Sequence, residues 1–140
     1  QNILKQDNSR TMTIDECAHL FSELTFDGKA MLQEHIDDYS EILLHILASD
    51  MVSEPLMDLL NRYDEKSLLI DCYISLIEIM WKLGDEAVRN VVDVTILERL
   101  SDDKSLWQKF GRFISMEFKQ YINQEVLAFN AMMWGVKALE

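Results

Sequence analysis

The sequence predicts an all-α protein, a compact domain of five to seven helices. One proline and four glycines in 140 residues leave few positions that would interrupt a helix, and 49% of the residues are apolar, enough for a core. The apolar residues recur at intervals of three and four, which places them on one face of a helix. We expect residues 13–140 to form a single domain behind a flexible N-terminal arm, residues 1–12.

The first two predicted helices begin at Thr13 and near Ala30. Thr13 and Glu16 have the spacing of a capping box, and a break is predicted at "FDGK", residues 26–29. The second helix is expected to continue to Ala48 with one apolar stripe: Leu32, Ile36, Tyr39, Leu43 and Leu47. Its opposite face carries polar residues: Glu34, Asp38, Glu41 and His45.

The third and fourth predicted helices differ in their polar content. A short helix is expected after "SEP", with Ser53 as its cap and Pro55 in its first turn. The next helix, 66–83, has only a thin polar stripe, which predicts that it is the buried centre of the domain. Within that stripe, Glu78 and Lys82 have the spacing of an ion pair.

The segment after residue 83 allows two interpretations. "VVDVTI", residues 91–96, is β-branched enough for a strand, but its apolar positions also fit a helical stripe, which we favour. Gly84 is then expected to end one helix and Asp85 to cap the next. From Ser101 onward the pattern predicts one long helix, or two with a bend near Asn123. The aromatic residues of this segment are expected in the core. The alternative is that the segment forms a groove for a partner, to which Met132, Met133 and Trp134 would contribute.

The stretch "LGDEAVR", residues 83–89, followed by Leu97 and Leu100, resembles the entry to the second helix of a HEAT-type repeat. The resemblance covers about nineteen residues, and it departs from the family at Val92 and Val94, where alanine is usual. It implies antiparallel helical packing in which Arg89 pairs with a carboxylate of a neighbouring helix. A second copy does not stand out, so a regular array is not expected.

The charge is strongly and unevenly negative. The chain carries −12 in total, and residues 15–64 contain twelve acids and two bases. An acidic surface repels nucleic acid and anionic lipid, so neither is an expected partner. Plain solubility explains such a surface, and so does a basic protein partner.

Recognised catalytic chemistry is absent from the sequence. We find no phosphate loop, nucleophile elbow or zinc motif, and we expect neither an enzyme nor a cofactor. Asp38, Glu41 and His45 could share a metal ion, but we interpret them as a solvated polar face. Cys17 and Cys72 are expected to be reduced core thiols of a cytoplasmic protein.

Small acidic helical chains without catalytic groups resemble bacterial immunity proteins, which block toxins. The resemblance implies a non-enzymatic module that neutralises a basic protein through an acidic surface. The residues that we expect to bind the partner are the acids of the predicted second and third helices: Asp37, Asp38, Glu41, Asp50, Glu54 and Asp58. Two alternatives remain, a structural or adaptor domain in a larger assembly and an enzyme with an unrecognised site.

Overall fold

The computed structural model describes residues 11–140, and within them it contains seven helices and no strand, which confirms the all-α prediction. The helices are α1 (Ile14–Leu24), α2 (Gly28–Tyr39), α3 (44–62), α4 (Leu68–Leu83), α5 (86–101), α6 (Lys104–Phe113) and α7 (116–134).

Three of these helices contain one wide π-helical turn each. The π segments are Ser49–Ser53 in α3, Val92–Ile96 in α5 and Ile122–Val126 in α7. The segment "VVDVTI" is therefore helical, and most of it lies in the π turn of α5. β-Branched side chains crowd an ordinary helical turn, and the wider turn relieves that crowding.

The predicted second helix, 30–48, is wrong in its extent, because α2 ends at Tyr39 and α3 begins at Leu44. Ser40 ends α2 in the left-handed region with φ 61°. The connection is then held by the His35 ring, whose Nε2 accepts a hydrogen bond from the Leu43 N–H at 2.9 Å. Residues 40–43 contain no glycine or proline, so the sequence gives no signal for a break and predicts a continuous helix.

The predicted helix start at Ser53 is also wrong, because Ser53 lies inside α3 with helical φ and ψ. The Ser53 hydroxyl is buried and has no hydrogen-bond partner among residues 11–140. Pro55 lies two residues after the last residue of the π segment, Ser53. Proline has no N–H and crowds the preceding turn, so a widened turn lets a continuous helix carry it.

The centre of the fold is the pair α3 and α5, not α4. These two helices contact each other, and each also contacts α1, α4 and α6. Helix α4 lies at the side and leaves Leu68 and Leu69 81% and 60% exposed. The predicted Glu78–Lys82 pair does not form: Glu78 accepts from the Ser115 N–H at 3.0 Å, and Lys82 lies 3.8 Å from Glu117.

The last segment divides at Ser115 rather than near Asn123. Ser115 caps α7 by accepting from the Phe118 N–H at 3.2 Å, while Asn123 lies in the π segment of that helix. Most of the aromatic residues in this segment pack in the core, as predicted, with Trp107 and Phe118 fully buried. Phe129 is the exception and is 84% exposed.

The predicted helix ends at Thr13 and Gly84 are confirmed. Thr13 and Glu16 form the capping box, and Asp85 caps α5 by accepting from the Val88 N–H at 3.0 Å. Met12, within the predicted arm, donates its N–H to the Leu83 carbonyl and accepts from the Asp85 N–H, both at 2.9 Å. Residues 1–10 of that arm lie outside the described residues.

Candidate functional site

A groove between α2 and α3 collects four carboxylates. Helix α2 packs chiefly on α1, so a space of about 340 Å³ remains between α2 and the first half of α3. We call this space the acidic groove, and it is lined by Met31, Glu34, His35, Asp38, Tyr39, Leu47, Asp50, Met51 and Glu54.

The two walls of the acidic groove carry the same spacing of residues. On α2 the wall residues follow at i, i+3, i+4 and i+7: Met31, Glu34, His35 and Asp38. On α3 the same intervals recur: Leu47, Asp50, Met51 and Glu54. Residues at these intervals share one helical face, so each wall presents two acids beside apolar side chains.

The floor of the acidic groove is mainly apolar and partly aromatic. Leu47 and Met51 are buried, and the His35 ring is 5% exposed. The Tyr39 ring lies 4.8 Å from the His35 ring and is 44% exposed. An apolar floor below charged rims suits the long aliphatic stem and charged head of a lysine or arginine side chain.

Within the described part of the chain, most of the carboxylates of the acidic groove have no ion-pair partner. Glu34, Asp38 and Asp50 have no ion-pair or side-chain hydrogen-bond partner among residues 11–140, and Glu54 pairs with Arg99 at 2.9 Å. Uncompensated charges of one sign in a concave surface focus the field and concentrate ions of the opposite sign. The arrangement favours a guanidinium or ammonium group.

The six predicted partner-binding residues are only partly brought together. Asp38, Asp50 and Glu54 line the acidic groove. The other three do not line it: Asp37 accepts a hydrogen bond from Gln33 on α2, Glu41 lies in the connection after α2, and Asp58 pairs with Arg62 on α3. The placement of Glu41 on the same helix as Asp38 is therefore wrong.

Glu34 is the acid that the predicted set omitted. The shared wall pattern, an apolar residue followed by acids three and seven positions later, was present in the sequence. The pattern alone does not reveal the groove, because the sequence predicts one helix over residues 30–48. A groove needs two helices that face each other, and that prediction lacks the break between Tyr39 and Leu44.

A second groove, about 500 Å³, lies between α5 and α7, and three of its polar side chains form one cluster. The Tyr121 hydroxyl donates to both oxygens of Asp93, at 2.9 and 2.8 Å, and the Arg89 guanidinium lies 4.7 Å from the centre of the Tyr121 ring. The expected pairing of Arg89 with a carboxylate of a neighbouring helix is therefore replaced by an aromatic contact. Burial raises the pKa of Asp93, although Tyr121 and Arg89 oppose the shift.

The two cysteines lie in different environments. Cys17 is fully buried, as predicted, and burial raises the pKa of its thiol to about 12, so it stays protonated at neutral pH. Cys72 is exposed, which corrects its assignment to the core. Residues 11–140 contain no group of three or more His, Cys, Asp or Glu side chains arranged to hold a metal ion.

The fold and this groove define a class, an all-α domain with an acidic concave surface, which has seven helices within residues 11–140. The chain belongs to the DUF7674 family, a domain of unknown function, whose model matches residues 14–130. No curated protein and no solved structure matches the chain. None of the helices in residues 11–140 has both the length and the apolarity that a membrane crossing requires.

Proposed function

We propose that this protein is a non-enzymatic binding module that takes a basic segment of a partner protein into the acidic groove. The observation that supports the proposal is the set of three carboxylates, Glu34, Asp38 and Asp50, that share one concave surface and have no ion-pair partner among residues 11–140. Like charges held together oppose folding, so a binding role accounts for their position.

The class of partner that we propose is a basic toxin, which makes the protein an immunity-type inhibitor acting in the bacterial cytoplasm. The net charge of −12 and the concentration of acids in residues 15–64 support electrostatic capture of such a partner. The HEAT-like stretch at residues 83–100 supports a helical scaffold for protein contacts. An immunity gene lies beside the gene of its toxin, so the neighbouring reading frame is the source of the test partner.

The test compares association rates with that neighbouring product for wild type and for Asp38→Lys/Asp50→Lys. The matched control is Glu98→Lys/Asp102→Lys, which reverses two exposed acids at the end of α5 and changes the net charge equally. We expect the groove reversal to slow association at least about tenfold at low salt, and the control to slow it much less.

Two results would contradict this function. Equal slowing by both double variants would mean that net charge, and not the acidic groove, guides association. An association rate indifferent to the reversal and to salt would place the interface elsewhere, because electrostatic capture weakens as salt screens the field.

The second candidate function is a structural or adaptor domain within a larger assembly. Its support is the outer face of α7, where Phe129, Met132 and Met133 are 84%, 97% and 82% exposed. Exposed apolar clusters of this kind often mark protein interfaces. Co-purification in a complex that survives the groove reversal would favour this function.

A further inference from the structure

His35 is a buried titratable residue that holds the connection between α2 and α3. It is 5% exposed, and its Nε2 accepts a hydrogen bond from the Leu43 N–H at 2.9 Å. Ser40 turns the chain out of α2 with φ 61°. The N–H groups of Glu41 and Ile42 have no hydrogen-bond partner among residues 11–140, so between Ser40 and α3 only the N–H of Leu43 is bonded.

The direction of this bond fixes the protonation state of the His35 ring. A backbone N–H only donates, so Nε2 must offer a free lone pair, and the proton of the neutral ring lies on Nδ1. An imidazolium ring has an N–H at both nitrogens and cannot accept from Leu43. The bond between α2 and the start of α3 therefore requires the neutral form of His35.

Charged and titratable groups share the acidic groove with His35 on both of its walls. They are Glu34, Asp38 and Tyr39 on α2, and Asp50 and Glu54 on α3. Glu41 lies in the connection, and Arg99 of α5 pairs with Glu54 at 2.9 Å. In the described part of the chain, α1 packs on α2 but contributes no residue to the lining of the groove. A protonated His35 is thus a cation of the protein itself among four carboxylates, and it opposes the binding of a second cation.

We propose that His35 is a positioning residue of the acidic groove, and that the groove captures basic ligands only while this ring is neutral. The neutral ring holds α2 and α3 as two facing walls, because it ties the residue before α3 to the second half of α2. Protonation acts twice, since it releases the Leu43 N–H and adds a positive charge to the site. The inference rests on the proposed function and adds a dependence on pH to it.

The test uses the full chain and hexalysine as the basic probe, with the dissociation constant measured at low salt at about pH 7.5 and about pH 5.5. Lysine keeps its charge over this range, as carboxylates ordinarily do, whereas histidine ordinarily changes its charge within it. We expect wild type to bind hexalysine at least about threefold more weakly at the lower pH, because only the chains with a neutral ring are competent to bind.

Two substitutions at His35 separate its positioning role from a merely structural one. His35→Gln places an amide oxygen at the end of a side chain of similar length, so it can accept from Leu43 at either pH and does not titrate. We expect His35→Gln to bind hexalysine equally at both pH values, with the affinity that wild type has at the higher one. His35→Leu fills the space without an acceptor, and we expect it to bind more weakly than His35→Gln at both pH values.

His45→Gln is the matched control, because it removes a histidine that does not line the acidic groove. The His45 ring forms a hydrogen bond with the Thr95 hydroxyl of α5. We expect this variant to keep the wild-type dependence on pH. Equal binding by His45→Gln at both pH values would overturn the assignment of the dependence to His35.

A second measurement covers the case in which a His35 variant does not fold. In wild type without any ligand, nuclear magnetic resonance follows the His35 ring and the Leu43 amide from about pH 7.5 to about pH 5.5. We expect both signals to change with the same midpoint, because protonation of the ring breaks the bond that joins them. A Leu43 amide signal that is indifferent to protonation of the ring would overturn the proposal.

The outcomes for His35 and for the acidic groove itself are distinguishable. If wild type binds hexalysine equally at both pH values, with signal shifts on α2 and α3, the role of His35 is overturned and the groove remains the binding surface. If hexalysine binds at neither pH, the acidic groove is not a site for basic ligands, and the proposed function fails together with this inference.

Discussion

Arg89 and Asp93 show how far single residues can be understood from their spacing. They lie four positions apart on α5, so their proximity follows from the sequence. The Tyr121 ring, which Arg89 contacts and whose hydroxyl binds Asp93, comes from α7, more than thirty residues after Arg89. Only the packing of α7 on α5 shows that these three side chains form one cluster.

Asp93→Asn should raise the free energy of unfolding at pH 7. Burial raises the pKa of Asp93 above its ordinary value, so the folded chain holds the proton more tightly than the unfolded chain. The corresponding stability is present below the ordinary pKa and is lost as the pH rises through the raised value. Asparagine keeps an acceptor for Tyr121 and removes the buried charge, so the gain should be present at pH 7 and absent near about pH 3.

Urea denaturation at the two pH values measures this difference, with Asp102→Asn at an exposed position as the control. A loss of stability for Asp93→Asn at pH 7 would show that the attraction between Asp93 and Arg89 outweighs the cost of burial.

At the level of helices, the sequence located the ends with local caps better than the ends made by distant contacts. The capping box at Thr13 and the cap at Asp85 each use bonds within three residues, which a sequence pattern can capture. The break at Ser40 depends instead on the His35 ring accepting from the Leu43 N–H, eight residues away. At Ser53 a strong local cap signal was overridden, because the π segment lets α3 continue through Pro55.

The side position of α4 leads to a prediction with an internal control. Leu76 is 1% exposed and Leu68 on the same helix is 81% exposed. Leu76→Ala should lower the free energy of unfolding by about 2–5 kcal/mol, through lost apolar burial and the cavity that remains. Leu68→Ala, the same chemical change, should alter it by less than about 0.5 kcal/mol. Comparable losses for both variants in chemical denaturation would contradict the exposure of the outer face of α4.

For the whole molecule, the sequence predicted the fold class and the acidic half but not the groove. The helical periodicity and the skew of charge toward residues 15–64 are properties of the chain itself. The acidic groove requires two facing helices, and the predicted single helix 30–48 removed the break that separates them. The acids of α3 could therefore not be placed opposite Glu34 and Asp38. The sequence predicted α4 as the centre because most of its residues are apolar. The central position of α3 and α5 depends on helix packing, which apolar content alone does not determine.

If the carboxylates of the acidic groove are kept for binding, neutralising them should stabilise the free protein. Asp38→Asn/Asp50→Asn is expected to raise the free energy of unfolding at low salt, because it relieves repulsion among carboxylates of one groove, of which Glu34, Asp38 and Asp50 have no ion-pair partner in residues 11–140. The gain should shrink in 1 M salt, where screening acts over about 3 Å. Glu98→Gln/Asp102→Asn changes the net charge equally and should give a smaller gain. A lower free energy of unfolding for the groove variant would contradict this prediction, because it would show that Asp38 and Asp50 stabilise the fold.

The most direct test of the binding role is a map of where the partner lies. The isotope-labelled protein is titrated with the product of the neighbouring reading frame, and amide signals are followed by nuclear magnetic resonance. We predict that the largest shifts fall on α2 and the first half of α3, at Glu34, Asp38, Asp50 and Glu54. Shifts concentrated on α7 at Phe129, Met132 and Met133, with α2 and α3 unchanged, would contradict the assignment of the acidic groove as the binding surface.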